Sequence, residues 1–314
     1  MGNTLLVGVV ALGFGLILYI LSIVSSLLTK LKLAEFTDFS QFFLRWSFYL
    51  ALAFVVLLML DLLAHKIKRR RREYVPTYDM SKKKFVVGLI AYNEEPSIVA
   101  VVKEFKKNPL VSRVIVVDNN SKDKTFQLAK EAGADIVVTE MRPGYDSACL
   151  RVLKECAAQA KQNEVVALTE ADGTFSAMDL YKFLPYLGNA DMVVGTRLCP
   201  EIVDRMTQLT PFYVYGNYFI AKLIHLKYYV RLTDVGCTFR VIHPSALKSL
   251  LPQLHYRGHA FSPHMIAEAI KQHLIVVEIP ITFRKRIGVS KGAGGNIWLG
   301  WKTGLKMIAD ILRA

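Results

Sequence analysis

Hydrophobic positions are arranged in two different ways along this chain. Residues 4–29 and 43–64 are nearly unbroken apolar runs. Each exceeds the ~20 residues that a helix needs to cross the hydrocarbon core of a bilayer. The first run holds no charged residue. The second holds only Arg45 near its start and Asp61 near its end, where a polar head can reach an interface. From Lys84 onward, short apolar runs alternate with amphipathic stretches. Strands are expected over Phe85–Ala91, Val114–Val117, Asp135–Thr139 and Val165–Leu168. Between them the spacing predicts helices over Pro96–Lys107, Asp123–Ala132 and Ser147–Ala160. In the first of these, Ile98, Val101, Val102 and Phe105 fall on one face and Pro96 occupies the first turn. Gly133 closes the second. Further on, Met192–Gly195 and Leu274–Phe283 read as strands, and Pro211–Tyr229 and Ser262–Gln272 as helices.

Strands that alternate with helices predict an α/β fold, a mainly parallel sheet with helices on both faces. The expected organisation is a two-helix transmembrane hairpin over 1–65, a basic juxtamembrane linker over 66–83, and the α/β domain over 84–314. In such sheets ligands lie beyond the carboxyl ends of the strands. The polar clusters fall at those ends: Tyr92-Asn93-Glu94-Glu95, Asp118-Asn119-Asn120, Arg142-Pro143-Gly144 and Glu170-Ala171-Asp172. Four successive polar strand ends form one rim, which suits a nucleotide.

Composition sharpens the membrane reading. The 314 residues are 53% hydrophobic with net charge +14, and the mean hydropathy is +0.30. The first apolar run lacks a basic flank and is too long for a signal peptide. Lys66-Ile67-Lys68-Arg69-Arg70-Arg71-Arg72 follows the second run directly, with Lys82-Lys83-Lys84 beyond it. The positive-inside rule puts this side, and the α/β domain, in the cytoplasm. A basic run placed there suits anionic headgroups rather than nucleic acid. The composition of the two spans is equally compatible with anchoring, oligomerisation or covering a lipid. Cys149, Cys156, Cys199 and Cys237 show no C-x-x-C spacing, so neither a zinc site nor a disulfide framework is indicated.

The sharpest chemical signal is Glu170-Ala171-Asp172-Gly173. In an extended segment, side chains at i and i+2 point the same way. Both carboxylates therefore converge at a strand end, as hard oxygen ligands suited to Mg²⁺ or Mn²⁺ together with a substrate's phosphates. There is no G-x-G-x-x-G and no G-x-x-x-x-G-K-[ST], which argues against dinucleotide binding and P-loop hydrolysis. Arg284-Lys285-Arg286-Ile287-Gly288-Val289-Ser290-Lys291-Gly292 is a basic loop able to wrap phosphates. Two stretches suit a membrane surface or, equally, the domain core. One is the aromatic-rich Pro211–Tyr229, with Lys222 and Lys227. The other is the last helix, with Trp298, Trp301, Leu305, Ile308 and Leu312 on one stripe.

The ordered set of Tyr92-Asn93-Glu94-Glu95, Asp118-Asn119-Asn120-Ser121, Glu170-Ala171-Asp172-Gly173, Gly195-Thr196-Arg197 and Arg286-x-Gly-x-Ser290-Lys291 resembles family 2 glycosyltransferases of GT-A fold, which implies a Rossmann-like mixed, mainly parallel sheet. Among them it is most similar to polyprenyl-phosphate (dolichyl-phosphate) mannose and glucose synthases, over about residues 84–310. The resemblance implies that Tyr92, Glu94, Asp118 and Asn120 lie at the base and ribose of a nucleotide diphosphate sugar, with Arg142 and Gly144 near the donor. It implies that Glu170 and Asp172 carry Mg²⁺ or Mn²⁺, and that Arg197, Arg286, Ser290 and Lys291 lie near the diphosphate and the acceptor phosphate. Asp234 and Arg240 match the segment beside the acceptor cleft, and Asp234 is the candidate base if one is used. Glu170 stands where the family's D-x-D has its first Asp. The Q-x-x-R-W of processive polysaccharide synthases is absent from the sequence. The implied activity is inverting transfer of one hexose from a UDP- or GDP-sugar to polyprenyl or dolichyl phosphate at the cytoplasmic membrane face. The alternatives are a hydroxyl-bearing lipid or glycan acceptor, or nucleotidyl transfer.

Overall fold

The computed structural model describes residues 2–32, 37–68, 83–161, 163–204, 206–207, 209–288, 304 and 307–308. The basic run 69–72, Ser290 and Lys291, and nearly all of the expected last helix fall outside them.

Two helices, α1 (Gly2–Lys30) and α2 (Thr37–Lys68), form one compact unit. The windows Ala11–Lys30 and Thr37–Leu57 have mean hydropathies of 2.3 and 1.5, so both helices are long and apolar enough to cross a membrane. They meet through small residues. Ser22, Ser25 and Ser47 are buried, and a Cβ on Gly15 would stand 3.3 Å from the Ser47 carbonyl oxygen. Such contacts let helix backbones approach closely where no hydrophobic driving force separates lipid from protein. The outward residues Phe14, Leu16, Phe48 and Tyr49 are exposed.

The second unit is an α/β domain. Its strands are β1 (Lys84–Ala91), β2 (Val111–Asp118), β3 (Ile136–Thr139), β4 (Glu164–Glu170), β5 (Met192–Thr196), β6 (Arg240–Ile242) and β7 (Val276–Pro280). They form one sheet in the order β3-β2-β1-β4-β6-β5-β7. β6 runs antiparallel to both neighbours, and the other pairs are parallel. The helices are α3 (Ile98–Lys107), α4 (Thr125–Glu131), α5 (Tyr145–Gln159), α6 (Leu180–Leu187), α7 (Pro211–Tyr228), α8 (Pro244–Leu250) and α9 (Phe261–Lys271). The expected mixed, mainly parallel sheet is present, with β6 as its antiparallel strand.

Both faces of the sheet are covered, which is why its central strands read as continuous apolar runs. Val86, Ile90, Val166 and Leu168 pack with Val152, Leu153 and Cys156 of α5 and with Ile220 and Ile224 of α7. On the other face, Val87, Leu89, Val165 and Ala167 pack with Ile98, Val102 and Phe105 of α3 and Phe183 of α6. The four cysteines are unpaired. Six strands share one direction, so the ends of β1, β2, β3, β4, β5 and β7 open towards one side. That side carries the polar clusters.

Gly88, at the centre of β1, sets how closely α5 can approach. A Cβ there would lie 2.6 Å from Val152 Cγ2 and 2.8 Å from Cys156 Sγ. Gly88→Ala is therefore expected to destabilise the domain by about 1–3 kcal/mol, the usual cost of overpacking a filled core. The measurement is a thermal or denaturant melt of the full chain. Adding Cys156→Ala to Gly88→Ala should recover part of the loss, because it removes one of the two clashing atoms.

Candidate active site

The site grows out of the end of β4. Val165 to Leu168 are buried in the core, and the strand runs on to Glu170. Leu168 pairs with Arg240 on β6. Two residues further along this antiparallel register, Glu170 comes opposite Thr238. The Thr238 hydroxyl donates to Glu170 Oε1 at 2.5 Å. Thr238 Oγ1 also lies 2.6 Å from the Tyr145 hydroxyl, which lies 3.0 Å from Ser262 Oγ. Thr238 has one proton and gives it to the carboxylate, so it accepts from Tyr145. Tyr145 then accepts from Ser262. Three hydroxyls thus point in series at Glu170 and fix one of its oxygens.

Burial pushes the Glu170 carboxyl up to about 7, and the neighbouring Asp172 charge adds to the rise; the Thr238 hydrogen bond and the Arg286 and Arg197 charges oppose it. Asp172 is itself buried, with 3% of its surface exposed. Its Oδ1 accepts from Thr174 N at 3.0 Å and from Thr174 Oγ1 at 2.6 Å. Its Oδ2 accepts from Arg286 Nη1 at 2.9 Å. The other end of that guanidinium, Nη2, pairs with Glu94 Oε1. One arginine therefore ties the end of β4 to the loop after β1.

Arg286 reaches this place because its loop is stitched alongside β4's exit. Arg284 N donates to Thr174 O at 2.8 Å and Ile287 N to Asp172 O at 3.0 Å. Arg284 also pairs with Glu104 at 2.9 Å. Gly173 takes a left-handed φ of +81°, and a Cβ on it would stand 2.8 Å from Ile287 Cδ1. Only glycine meets both conditions.

The neighbouring strand ends complete the rim. Asp118, at the end of β2, accepts from Ser121 N at 3.1 Å and from the Ser121 hydroxyl. Asn93 and Asn120 both adopt positive φ, 51° and 56°, a conformation that asparagine tolerates better than most residues. Asn119 braces the loop after β3. Its Nδ2 donates to Arg142 O at 2.7 Å, and its Oδ1 accepts from Gly144 N at 2.9 Å. The Arg142 guanidinium lies 3.6 Å over the Tyr256 ring, a cation–π contact. Tyr92 is 43% exposed at the rim.

On the other flank, Arg197 follows β5. Its Nε and Nη2 bind Asp234 Oδ2 and Oδ1 at 2.7 and 2.8 Å, a bidentate pair. Nη2 also reaches the Tyr213 hydroxyl at 3.3 Å. Nη1 has no hydrogen-bond partner among the described residues. Asp234 is held in turn, since Glu278 of β7 accepts from the backbone N–H of Thr233 and of Asp234.

These positions amend two expectations. Asp234, expected as the candidate base, is fully buried and serves as the counter-ion of Arg197. Arg240, expected beside an acceptor cleft, is also fully buried. Its guanidinium points at backbone carbonyls, Ser262 O at 3.1 Å and Cys237 O. The structure draws Glu94, Asp172 and Arg286 into one cluster with Glu170 beside it. Asn119 was read from the sequence only as part of the strand-end cluster, and Tyr145, Thr238, Ser262, Thr174 and Tyr213 were given no site role from it. Asp172-x-Thr174 is the one of these with a local signal, a side chain capping the backbone two residues on.

No group of three or more His, Cys, Asp or Glu side chains placed to hold a metal occurs among the described residues. The pair Glu170 and Asp172 offers hard oxygens from two like charges, one half-buried and one buried. That donor set fits a divalent cation that completes its shell with phosphate oxygens; it does not form a closed protein cage.

The family described as Glycosyl transferase family 2 matches residues 86–251. Among curated relatives, the low-salt glycan biosynthesis hexosyltransferase Agl6 of Haloferax volcanii is 29% identical over 202 residues, 62% of this chain and 46% of that protein. The chain thus spans about half the length of that relative. The undecaprenyl-phosphate mannosyltransferase of Micrococcus luteus is 24% identical over 215 residues, 66% of this chain and 86% of that protein. Among solved structures, glucosyl-3-phosphoglycerate synthase from Mycobacterium tuberculosis with Mn²⁺, UDP and glucosyl-3-phosphoglycerate shares the fold, with TM-score 0.53 at 17% identity over 78% of this chain and 86% of that one.

Removing one member of a buried ion pair strands the other. Asp234→Ala should destabilise the domain by about 3–5 kcal/mol, read as a lowered melting temperature of the full chain. Arg197→Met combined with Asp234→Leu should recover most of that stability, because no uncompensated charge remains.

Proposed function

This chain belongs to glycosyl transferase family 2, and we propose that it moves one hexose from a nucleotide diphosphate sugar to a polyprenyl or dolichyl phosphate at the cytoplasmic face of a membrane. It is a glycosyltransferase; the identity of donor and acceptor is our reading. The observation that carries it is the Arg197–Asp234 pair. A hydroxyl acceptor needs a carboxylate free to take its proton. Asp234 is consumed by Arg197, while Arg197 Nη1 remains available to an anion. A phosphate acceptor suits that arrangement, since it is already ionised at neutral pH. The printed function of the Micrococcus luteus relative supports the same acceptor class.

Each residue then has a definite task. Tyr92, Glu94, Asp118 and Asn120 would line the nucleoside end, and Arg142 and Gly144 would close the donor loop. Glu170 and Asp172 would hold Mg²⁺ or Mn²⁺, whose charge would stabilise the leaving diphosphate. Arg286, already oriented by Glu94 and Asp172, would neutralise the same developing charge; Ser290 and Lys291 would serve the same phosphates. Arg197 would orient the acceptor. An acceptor phosphate oxygen bonds to the sugar's anomeric carbon as the bond to the nucleoside diphosphate breaks. One in-line displacement inverts the anomeric centre, and no proton has to be removed. The bilayer enters as the solvent of the lipid acceptor, and α1 and α2 would anchor the chain there.

The test uses the full chain in membranes with labelled UDP- and GDP-sugars, Mg²⁺ or Mn²⁺, and polyprenyl phosphate. The expected product is an acid-labile glycolipid with release of nucleoside diphosphate. Glu170→Gln and Asp172→Asn should each lower turnover by roughly 10²–10³-fold, as for loss of one transition-state charge contact, with the fold retained by circular dichroism. An acid-stable lipid product would point to a hydroxyl acceptor, and released pyrophosphate to nucleotidyl transfer.

A further inference from the structure

Helix α7 has two faces with different chemistry. Inward, Ile220, Ala221, Leu223 and Ile224 are buried in the core. The same side holds the flank of the site. The Tyr213 hydroxyl receives Arg197 Nη2 at 3.3 Å, and Asn217 Oδ1 accepts from Gly236 N at 3.2 Å. Outward, Pro211, Tyr215, Tyr218, Phe219 and Lys222 are exposed. Their spacing, i, i+4, i+7, i+8 and i+11, makes a single stripe.

The outward face is unusual for a surface in water. Tyr215 is 73% exposed, Phe219 54% and Tyr218 43%, and Met206 just before the helix is 67% exposed. Contiguous aromatic surface of this kind marks an interaction site. Tyrosine, with an apolar ring and a polar tip, suits the boundary between hydrocarbon and water better than either medium alone. The charge on the helix has one sign. Lys222 is exposed on the stripe, Lys227 lies further along, and α7 contains no Asp or Glu. An aromatic stripe with lysines and no acidic residue is complementary to anionic headgroups.

We propose that the outward face of α7 lies on an anionic membrane surface, with Tyr215, Tyr218 and Phe219 at headgroup level and Lys222 pairing with lipid phosphates. The inference deepens the membrane part of the proposed function and is independent of the donor. Its consequence is geometric. A helix with side chains is about 10 Å thick, so a helix lying on the bilayer would hold Arg197, gripped by its inner face, about one helix diameter above the headgroups. A lipid-borne phosphate then has to rise only about that far to meet Arg197.

The test uses the full chain in nanodiscs containing phosphatidylcholine and phosphatidylglycerol. Cys199, the one native cysteine that is not buried, is changed to Ser. Bimane is then placed on Tyr215→Cys, Phe219→Cys or, as a control, Lys130→Cys on α4. The expected result is loss of bimane emission at 215 and 219, but not at 130, when the lipids carry brominated acyl chains. Lys222→Glu or nanodiscs of phosphatidylcholine alone should weaken that quenching. Emission at 215 and 219 indifferent to brominated lipid would overturn the proposal. So would shielding of these labels from iodide without bromolipid quenching, because that would mean a second copy of the chain covers the face. Co-elution of the chain with the nanodisc separately reports anchoring, so failure of docking is distinguishable from failure of the membrane reading.

Discussion

Two carboxylates of like charge, the half-buried Glu170 and the buried Asp172, sit two residues apart where β4 ends, and the surrounding structure is arranged to tolerate them. Water does little to screen charges at this depth. Asp172 remains paired because Arg286 reaches it from a loop more than a hundred residues away and because Thr174 donates twice to its other oxygen. Glu170 has only a hydroxyl chain for support, and its carboxyl is correspondingly pushed up. The two members of the pair are therefore unequal. Asp172 is locked by a cation and two further donors, while Glu170 keeps one oxygen without a protein partner among the described residues. A divalent ion carried in by a diphosphate would find one fixed and one adaptable ligand.

The antiparallel β6 is what makes this asymmetry possible. A sheet of parallel strands alone would put only strand ends and helix starts on the rim. β6 enters between β4 and β5 from the opposite direction, so the residues before it, Asp234 to Thr238, arrive at the same edge as Glu170 and Arg197. Thr238 then meets Glu170, and Asp234 meets Arg197. Arg240, two residues beyond Thr238 on the same side of the strand, is carried into the core and caps the carbonyls of Cys237 and Ser262. One strand of three residues thus decides which charges line the rim and which are structural.

Much of this was legible in the sequence, for identifiable reasons. The alternation of apolar runs and amphipathic stretches from Lys84 on gives the order of strands and helices, because burial on both faces leaves a compositional trace. Glu170 and Asp172 stood out since an i, i+2 pair at a strand end is a local pattern. β6 left no such trace: three residues are too short for any periodicity, and Arg240 among them reads as a surface residue. Asp234 looked like a free carboxylate because its partner lies 37 residues earlier in the chain. The bracing role of Asn119 was hidden for the same reason, since its bonds run to the loop after β3. Long-range pairing, unlike periodicity, has no signature in one stretch of sequence.

The bidentate clamp on Arg197 bears on why the acceptor should be an anion. Asp234 cancels the arginine's charge overall, so Arg197 attracts no free phosphate from a distance. What survives is directional: Nη1 points its two donors along a line fixed by the clamp and by the rings of Tyr213 and Phe283, 5.3 and 5.4 Å from the guanidinium carbon. Such a group discriminates by geometry rather than by field strength. A soluble phosphate would gain little from it, whereas a phosphate already concentrated at a surface would need only to be oriented. On the proposed reading, the clamp and the aromatic face of α7 would be two halves of one arrangement: the second would bring the anion to the interface, and the first would select its orientation there.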